Sequence, residues 1–228
     1  MKREVPPHSG QAVPTIGEGA YRQIRSDIIF GKLAPGQKLR LEKLKDAYGA
    51  SVSTLREILN RLASEALVVA EGQRGFQVAP VSAANLREIA DLRLLLETHA
   101  LEQSFAAGGM EWEGRVVAAH HRLKALEARM RDGDHSEIQS WKRYDWEFHQ
   151  VLISACGSEL LMETHADAFD KYLRYQLVAL SYRGDIAAEE HRLLLEHALK
   201  RDAARACEVL ACHIRGGVEH ALATGTIG

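Results

Sequence analysis

Apolar positions in the first third of the chain recur at helical spacing and then switch to alternation. Ala20, Ile24, Ile28 and Ile29 share one face between Gly19 and Phe30, which predicts an amphipathic helix, and Gly31 with Ala34-Pro35-Gly36 stops it. A short helix is expected from Leu41 to Tyr48, ended by Gly49. Ser51 or Ser53 then caps a helix running to about Ser64, with Leu55, Ile58, Leu59 and Leu62 on one face. Leu67-Val68-Val69-Ala70, the polar turn Glu71 to Gly75, and Phe76-Gln77-Val78-Ala79 closed by Pro80 read as a β-hairpin. Helices joined by tight turns and followed by a hairpin form the pattern of a winged helix-turn-helix.

After Pro80 the period is helical throughout. From Ser82 to Ala223 it is interrupted at Gly108-Gly109, Asp132-Gly133-Asp134, Gly157-Ser158, Gly184-Asp185 and near Arg201-Asp202, which predicts six helices. Short connections favour antiparallel neighbours in a bundle. The expected class is therefore mainly α: a flexible arm over residues 1–17, a winged helix-turn-helix over 18–80, and an all-helical bundle over 81–228.

Composition changes this picture in one respect. The 228 residues include 29 Lys and Arg against 31 Asp and Glu, a formal charge of −2, which taken whole argues against a polyanionic partner. Yet residues 1–80 carry 12 basic and 8 acidic side chains, and residues 81–228 carry 17 and 23. A basic front thus precedes an acidic remainder. Hydrophobic residues at 46% and charged residues at 26% exclude a disordered or fibrous chain. No apolar run approaches the roughly 20 residues of a membrane helix, and the charged start Met1-Lys2-Arg3-Glu4 has no apolar segment behind it. Cys156, Cys207 and Cys212 are odd in number and lack C-x-x-C spacing, so neither a disulfide framework nor a cysteine zinc site is indicated. A cytoplasmic chain without a membrane partner is expected.

Two constellations carry chemistry. A recognition helix needs small polar groups and Arg near its N-terminal end, where they reach base edges and phosphates. The stretch Ser51-Val52-Ser53-Thr54-Leu55-Arg56 offers three hydroxyls and one Arg. Arg56 can read guanine bidentately, and Arg74 beside Gly75 at the hairpin tip can enter the neighbouring groove. Ser and Thr at a helix start are also ordinary capping residues. In the helical part, Asp145 and His149 are spaced i, i+4 and leave one helix face together. With His213 and either His191 or His197 they make a carboxylate and three imidazoles, a set suited to a divalent transition metal such as zinc, nickel, manganese or iron. His99, His120, His121, His165 and His220 are assigned structural or solvated places.

Residues 20–80 resemble the DNA-binding domain of the GntR family of bacterial transcription regulators. The residues that carry the likeness are Gly31-Lys32-Leu33-Ala34-Pro35-Gly36, Leu39, Leu44, Leu55-Arg56-Glu57, Leu59, Leu62, Glu65, Leu67-Val68 and Arg74-Gly75-Phe76-Gln77-Val78. The resemblance implies that Ser51, Ser53, Thr54 and Arg56 face the operator, with Gly75 at the wing tip. Val52 and Glu42 stand where the family often has Arg, and Arg40 offers a replacement phosphate contact. Residues 83–222 resemble the FCD effector domain of one GntR subfamily. Its metal-binding members carry Asp-x-x-x-His on one helix and single His residues on the last two, which assigns Asp145, His149, His191 and His213 and leaves His197 aside.

The family likeness further implies a homodimeric repressor of palindromic double-stranded operator DNA, controlled by a small carboxylate effector on the metal. Lys38-Leu39-Arg40 and Gly49-Ala50-Ser51 look most like regulators of glutarate and γ-aminobutyrate catabolism. Arg93 is the effector clamp or, alternatively, the i+4 partner of Glu97, with Arg143 and Arg174 as weaker clamps. Two other readings compete. A metal-dependent enzyme acting on organic acids would use the same ligands to activate water. A DNA binder with a purely structural metal would need no effector.

Overall fold

The computed structural model describes residues 15–72, 75–134, 136–179 and 182–227. Its elements run α1 (Ile16–Ile29), β1 (Lys38–Leu39), α2 (Leu41–Tyr48), α3 (Val52–Ser64), β2 (Val68–Ala70), β3 (Phe76–Val78), α4 (Ala83–Ala107), α5 (Met110–Arg131), α6 (Ile138–Ile153), α7 (Glu159–Val178), α8 (Asp185–Lys200) and α9 (Ala203–Ala223). The chain divides into one compact unit that ends at Ala79 and a second that begins at Pro80 and also includes Ile29–Lys32.

In the first unit, the apolar stripes of α1 and α3 form a core around Ile24, Ile28, Leu55, Leu59 and Leu62. The turn between α2 and α3 depends on Gly49, which has φ of 65° and donates its N–H to Lys45 O; that left-handed conformation is the one glycine adopts at least cost. Two expectations need correction. First, α1 begins at Ile16 rather than Gly19, because Thr15 Oγ1 accepts from Glu18 N at 3.2 Å and extends the helix into the expected arm. The rest of that arm, residues 1–14, lies outside the described residues. Second, the hairpin has a third strand. Leu39 pairs with Phe76 and Lys38 with Gln77, so the sheet order is β1-β3-β2. A two-residue strand has no alternation to read.

In the second unit α4, α7 and α9 start at side-chain caps, and the helices break where the glycine and aspartate clusters lie. Ser82, Ser158 and Asp202 each accept a hydrogen bond from a backbone N–H of the following first turn. Helix α4 packs on α6, α7 and α9, while α5 packs on α6 and α8, and α8 on α9. The core between them includes Leu101, Trp112, Val116, Phe148, Tyr175, Leu194 and Ile214.

Helix α9 carries an oddity, two consecutive interior glycines, each costing about 0.5–1 kcal/mol relative to alanine. Their absent side chains leave space that is used. A Cβ on Gly217 would overlap Tyr172 Oη of α7, and one on Gly216 would overlap the Arg183 guanidinium. Gln176 Nε2 also donates to Gly217 O at 3.3 Å. The glycines thus let α7 and the segment after it lie close against α9.

This close approach makes a contrast between two helical glycines. Gly217→Ala should destabilise the chain by about 1–3 kcal/mol through overpacking. Gly114→Ala in α5, where a Cβ meets nothing within 4 Å, should stabilise it by about 0.5–1 kcal/mol. Urea unfolding of both variants checks this, and equal midpoints would refute the packing account.

Candidate functional site

Ser51 is the N-cap of α3. Its Oγ accepts from Thr54 N at 3.2 Å and lies 2.8 Å from Ser53 Oγ and 2.9 Å from Thr54 Oγ1. Capping and a polar, hydroxyl-rich surface therefore coexist at this helix end. Arg56 is exposed one turn further on. It lines a groove of about 690 Å³ together with Arg40 and Gly75, two other expected DNA contacts, and with Lys38, Lys43 and Asn60. Neither lysine was expected as a DNA contact from the sequence, and Lys38 lies in β1, the strand that alternation did not reveal. Gly75 has φ of 93°, a conformation that favours glycine. Arg74 lies outside the described residues.

The second constellation is buried. Asp145, His149, His191 and His213 offer ligand atoms that all lie within 4.8 Å of one another. They come from α6, α8 and α9. Each imidazole has one nitrogen committed to a carboxylate: His149 Nδ1 lies 2.8 Å from Glu97 Oε2, His191 Nδ1 2.6 Å from Glu127 Oε1, and His213 Nδ1 2.8 Å from Glu190 Oε2. The nitrogen left over in each ring is Nε2. Those of His149 and His191 are buried without an aligned hydrogen-bond partner, although His191 Nε2 is only 3.2 Å from Asp145 Oδ1. None of the three carboxylates was expected as a site residue. Glu97 stood in view only as a partner for Arg93, and Glu127 meets His191 across 64 residues, with no local signal.

Burial governs the titration of the set. It pushes His213 down to about 3 and lowers His149, against the pull of Glu190 and Glu97 respectively. At His191 burial also acts downward, but Asp145 and Glu127 outweigh it and raise the ring to about 9. Burial alone would raise Asp145, and Lys142, His191 and His149 overcome it, holding its carboxyl well below the usual carboxylate range. Lys142 sits at i−3 from Asp145, with Nζ 3.6 Å from Oδ2, and burial lowers its pKa. This buried lysine was legible in the sequence, on the same face as Asp145 and His149, and was overlooked.

Arg93 forms the pair with Glu97 anticipated for it as the alternative to a clamp. Its Nε donates to Glu97 Oε1 at 2.8 Å, and its guanidinium lies 4.0 Å and 4.3 Å from the ring centres of Phe169 and Tyr172. Yet Nη2, though 2.8 Å from the same oxygen, is not aligned for a hydrogen bond, and Arg93 lines a small cavity with Lys142, Asp145, Arg183, His191 and His213. Arg143 is exposed and Arg174 is buried in α7, and neither lines that cavity. Fully buried His165 bridges Gln150 and Glu97. His197, half-buried, lies 3.8 Å from Asp202.

A helix-turn-helix with a basic groove, joined to a helical unit that encloses a buried cluster of potential metal ligands, defines a DNA-binding regulator. Known proteins point the same way. Residues 16–78 match the bacterial regulatory proteins of the gntR family, and residues 88–216 match the FCD domain. The chain belongs to the GntR family of transcription regulators and carries an FCD domain. It is 39% identical over 209 residues to BphR of Paraburkholderia xenovorans, described as an uncharacterized HTH-type transcriptional regulator, spanning 90% of this chain and 85% of that one. It is 34% identical over 201 residues to the HTH-type transcriptional repressor GlaR of Escherichia coli, spanning 85% and 90%. Among solved structures, Escherichia coli McbR/YncC shares the fold with a TM-score of 0.76 at 18% identity, over 92% of this chain and 99% of that one. Family and relatives are regulators of transcription and not enzymes, which removes the catalytic reading. No helix among the described residues is long and apolar enough to cross a membrane.

The Glu97 carboxylate serves Arg93, His149 and His165 at once. Glu97→Ala should therefore cost about 3–5 kcal/mol, because it leaves a buried guanidinium uncompensated. Chemical denaturation measures this, and a loss below about 1 kcal/mol, the range of exposed pairs, would contradict it.

Proposed function

We propose that the chain is a homodimeric repressor that binds a palindromic operator and responds to a small carboxylate held at a divalent transition metal by Asp145, His149, His191 and His213. The observation that carries this reading is the donor set itself. Three imidazoles with Nδ1 committed to Glu97, Glu127 and Glu190 have the tautomer and orientation that metal-binding histidines take from outer carboxylates. Their spread of 4.8 Å is slightly wider than twice a metal–ligand bond of about 2.0–2.2 Å, so small shifts bring all four to one ion. One carboxylate and three imidazoles, with His191 giving up its proton to the ion, suit zinc, nickel, manganese or iron(II). When bound, the ion supplies a Lewis-acid point for an effector carboxylate.

The chain's own residues do the rest. Asp145 turns Oδ1 toward His191 and Oδ2 toward Lys142, so the ligand carboxylate is anchored from behind. Arg93, held by Glu97, offers Nη2 to the cavity as the clamp for the acid. At the DNA end, Ser51, Ser53, Thr54, Arg56, Arg40 and the wing residues Arg74 and Gly75 meet the operator, Arg56 reading bases and Arg40 phosphate. Two copies meet half-sites about one DNA turn, roughly 34 Å, apart. An effector shifts operator affinity only if it binds one arrangement of the dimer better than the other. The word repressor rests on the name of the relative GlaR.

The test is a thermal-shift panel of C4 to C6 dicarboxylates, hydroxy acids and amino acids on metal-loaded and chelator-treated protein. A ligand at 100 times its dissociation constant should add about 2.7 kcal/mol, and only with metal present. Silence across the panel from protein that contains the ion would make that ion structural. His213→Ala should lower metal content and thermal stability together, and unchanged stoichiometry would remove it from the set. Arg56→Ala should cost about 1–3 kcal/mol on operator DNA and much less on random DNA. Equal losses would make it a phosphate contact.

A further inference from the structure

The cavity beside Asp145, His191 and His213 holds about 20 Å³, room for one water and not for an organic acid. An acid enters only if part of the wall moves. Most of the wall is tied down, since Arg93, Lys142, Tyr172 and Gln176 are buried side chains of α4, α6 and α7. Arg183 differs, because it lies in the segment between α7 and α8 and reaches the cavity from outside any helix. Its guanidinium is held by Glu190 of α8 and lies 3.2 Å from His213 Nδ1 of α9. Helix α9 is notched to receive it, since a Cβ on Gly216 would overlap Nη1. Glycine is unfavourable inside a helix, so a helical glycine whose missing methyl is replaced by a guanidinium is a seat for that side chain.

Resting on the reading that a carboxylate occupies this cavity, we propose that Arg183 is its gate and a further ligand-binding cation. The entering acid competes with Glu190 for the guanidinium. Arg183 leaves its seat on Gly216 to admit the acid, then donates to it and closes the opening. Glu190 still holds His213 Nδ1 after the exchange, so admission does not dismantle the support of that imidazole. Arg93 receives the acid from a fixed position in α4, whereas Arg183 controls access as well as affinity.

The test uses metal-loaded full-length protein with acetate, succinate, glutarate and adipate as probes, followed by calorimetry and stopped-flow binding, with metal content measured on every sample. Arg183→Gln should keep its metal stoichiometry, bind the best of these acids about tenfold more weakly or worse, and associate at least as fast as the parent, so that the loss falls on dissociation. Arg183→Lys, which keeps the charge without the fork, should fall between the two. Equal affinity of Arg183→Gln and parent would overturn the binding role, and slower association would overturn the gate; both leave the effector reading standing. If none of the acids binds metal-loaded parent protein, the effector reading fails and this inference fails with it.

Discussion

Charge buried inside the helical unit is the constraint around which the rest of that unit is arranged. Asp145, Glu97 and Glu127 are removed from water together with Arg93, Lys142, His149, His165 and His191. An isolated buried ion is prohibitively costly, so Glu127 is paired with His191 and the other carboxylates are shared by several partners. Glu97 is divided among a guanidinium and two imidazoles, Asp145 between a lysine and two imidazoles, and Glu190 between Arg183 and His213. Sharing gives every acid a counter-charge while leaving Nε2 of His149 and His191 and Nη2 of Arg93 without aligned acceptors. Buried polar atoms are normally satisfied. Two of these three atoms, on Arg93 and His191, belong to residues that line the small cavity.

The fold was legible wherever the signal was local. Periodicity and glycine breaks located the six helices of the second unit, and Ser51 could be read as a cap because capping involves residues three apart. What escaped was non-local or too short. The two residues of β1 owe their state entirely to Phe76 and Gln77 across the sheet. In the candidate site, Asp145 and His149 announce themselves at i, i+4, whereas His191 could not be separated from His197 by spacing and was assigned through family likeness. The carboxylates behind the rings were illegible for the same reason as β1, since a Glu 52 or 64 residues away from its histidine looks like any other surface acid. Gly216 and Gly217 were visible as letters, but their meaning depends on which side chains of other elements occupy the missing Cβ positions.

The two units use their charged side chains in opposite ways. The groove of the first unit is lined by the cations Lys38, Arg40, Lys43 and Arg56, the kind of surface on which a polyanion releases its counterions. Around its cluster the helical unit buries Arg93 and Lys142 and pairs them with Glu97 and Asp145. A chain whose total charge is close to zero thereby keeps a basic groove in one unit and an internally paired cluster in the other, and the net value of −2 hides both.

The dispersal of the four clustered side chains over α6, α8 and α9 also orders events during synthesis. Asp145 and His149 leave the ribosome well before His191, and His213 comes last, with the supporting bonds of His149 and His191 closing loops of 52 and 64 residues. Closing such loops requires the bundle to be largely assembled, since entropy is lost before any long-range contact repays it. No short nascent segment can gather this donor set. A cation bound there would be acquired by a chain that has already folded, fastening the finished bundle without guiding its formation.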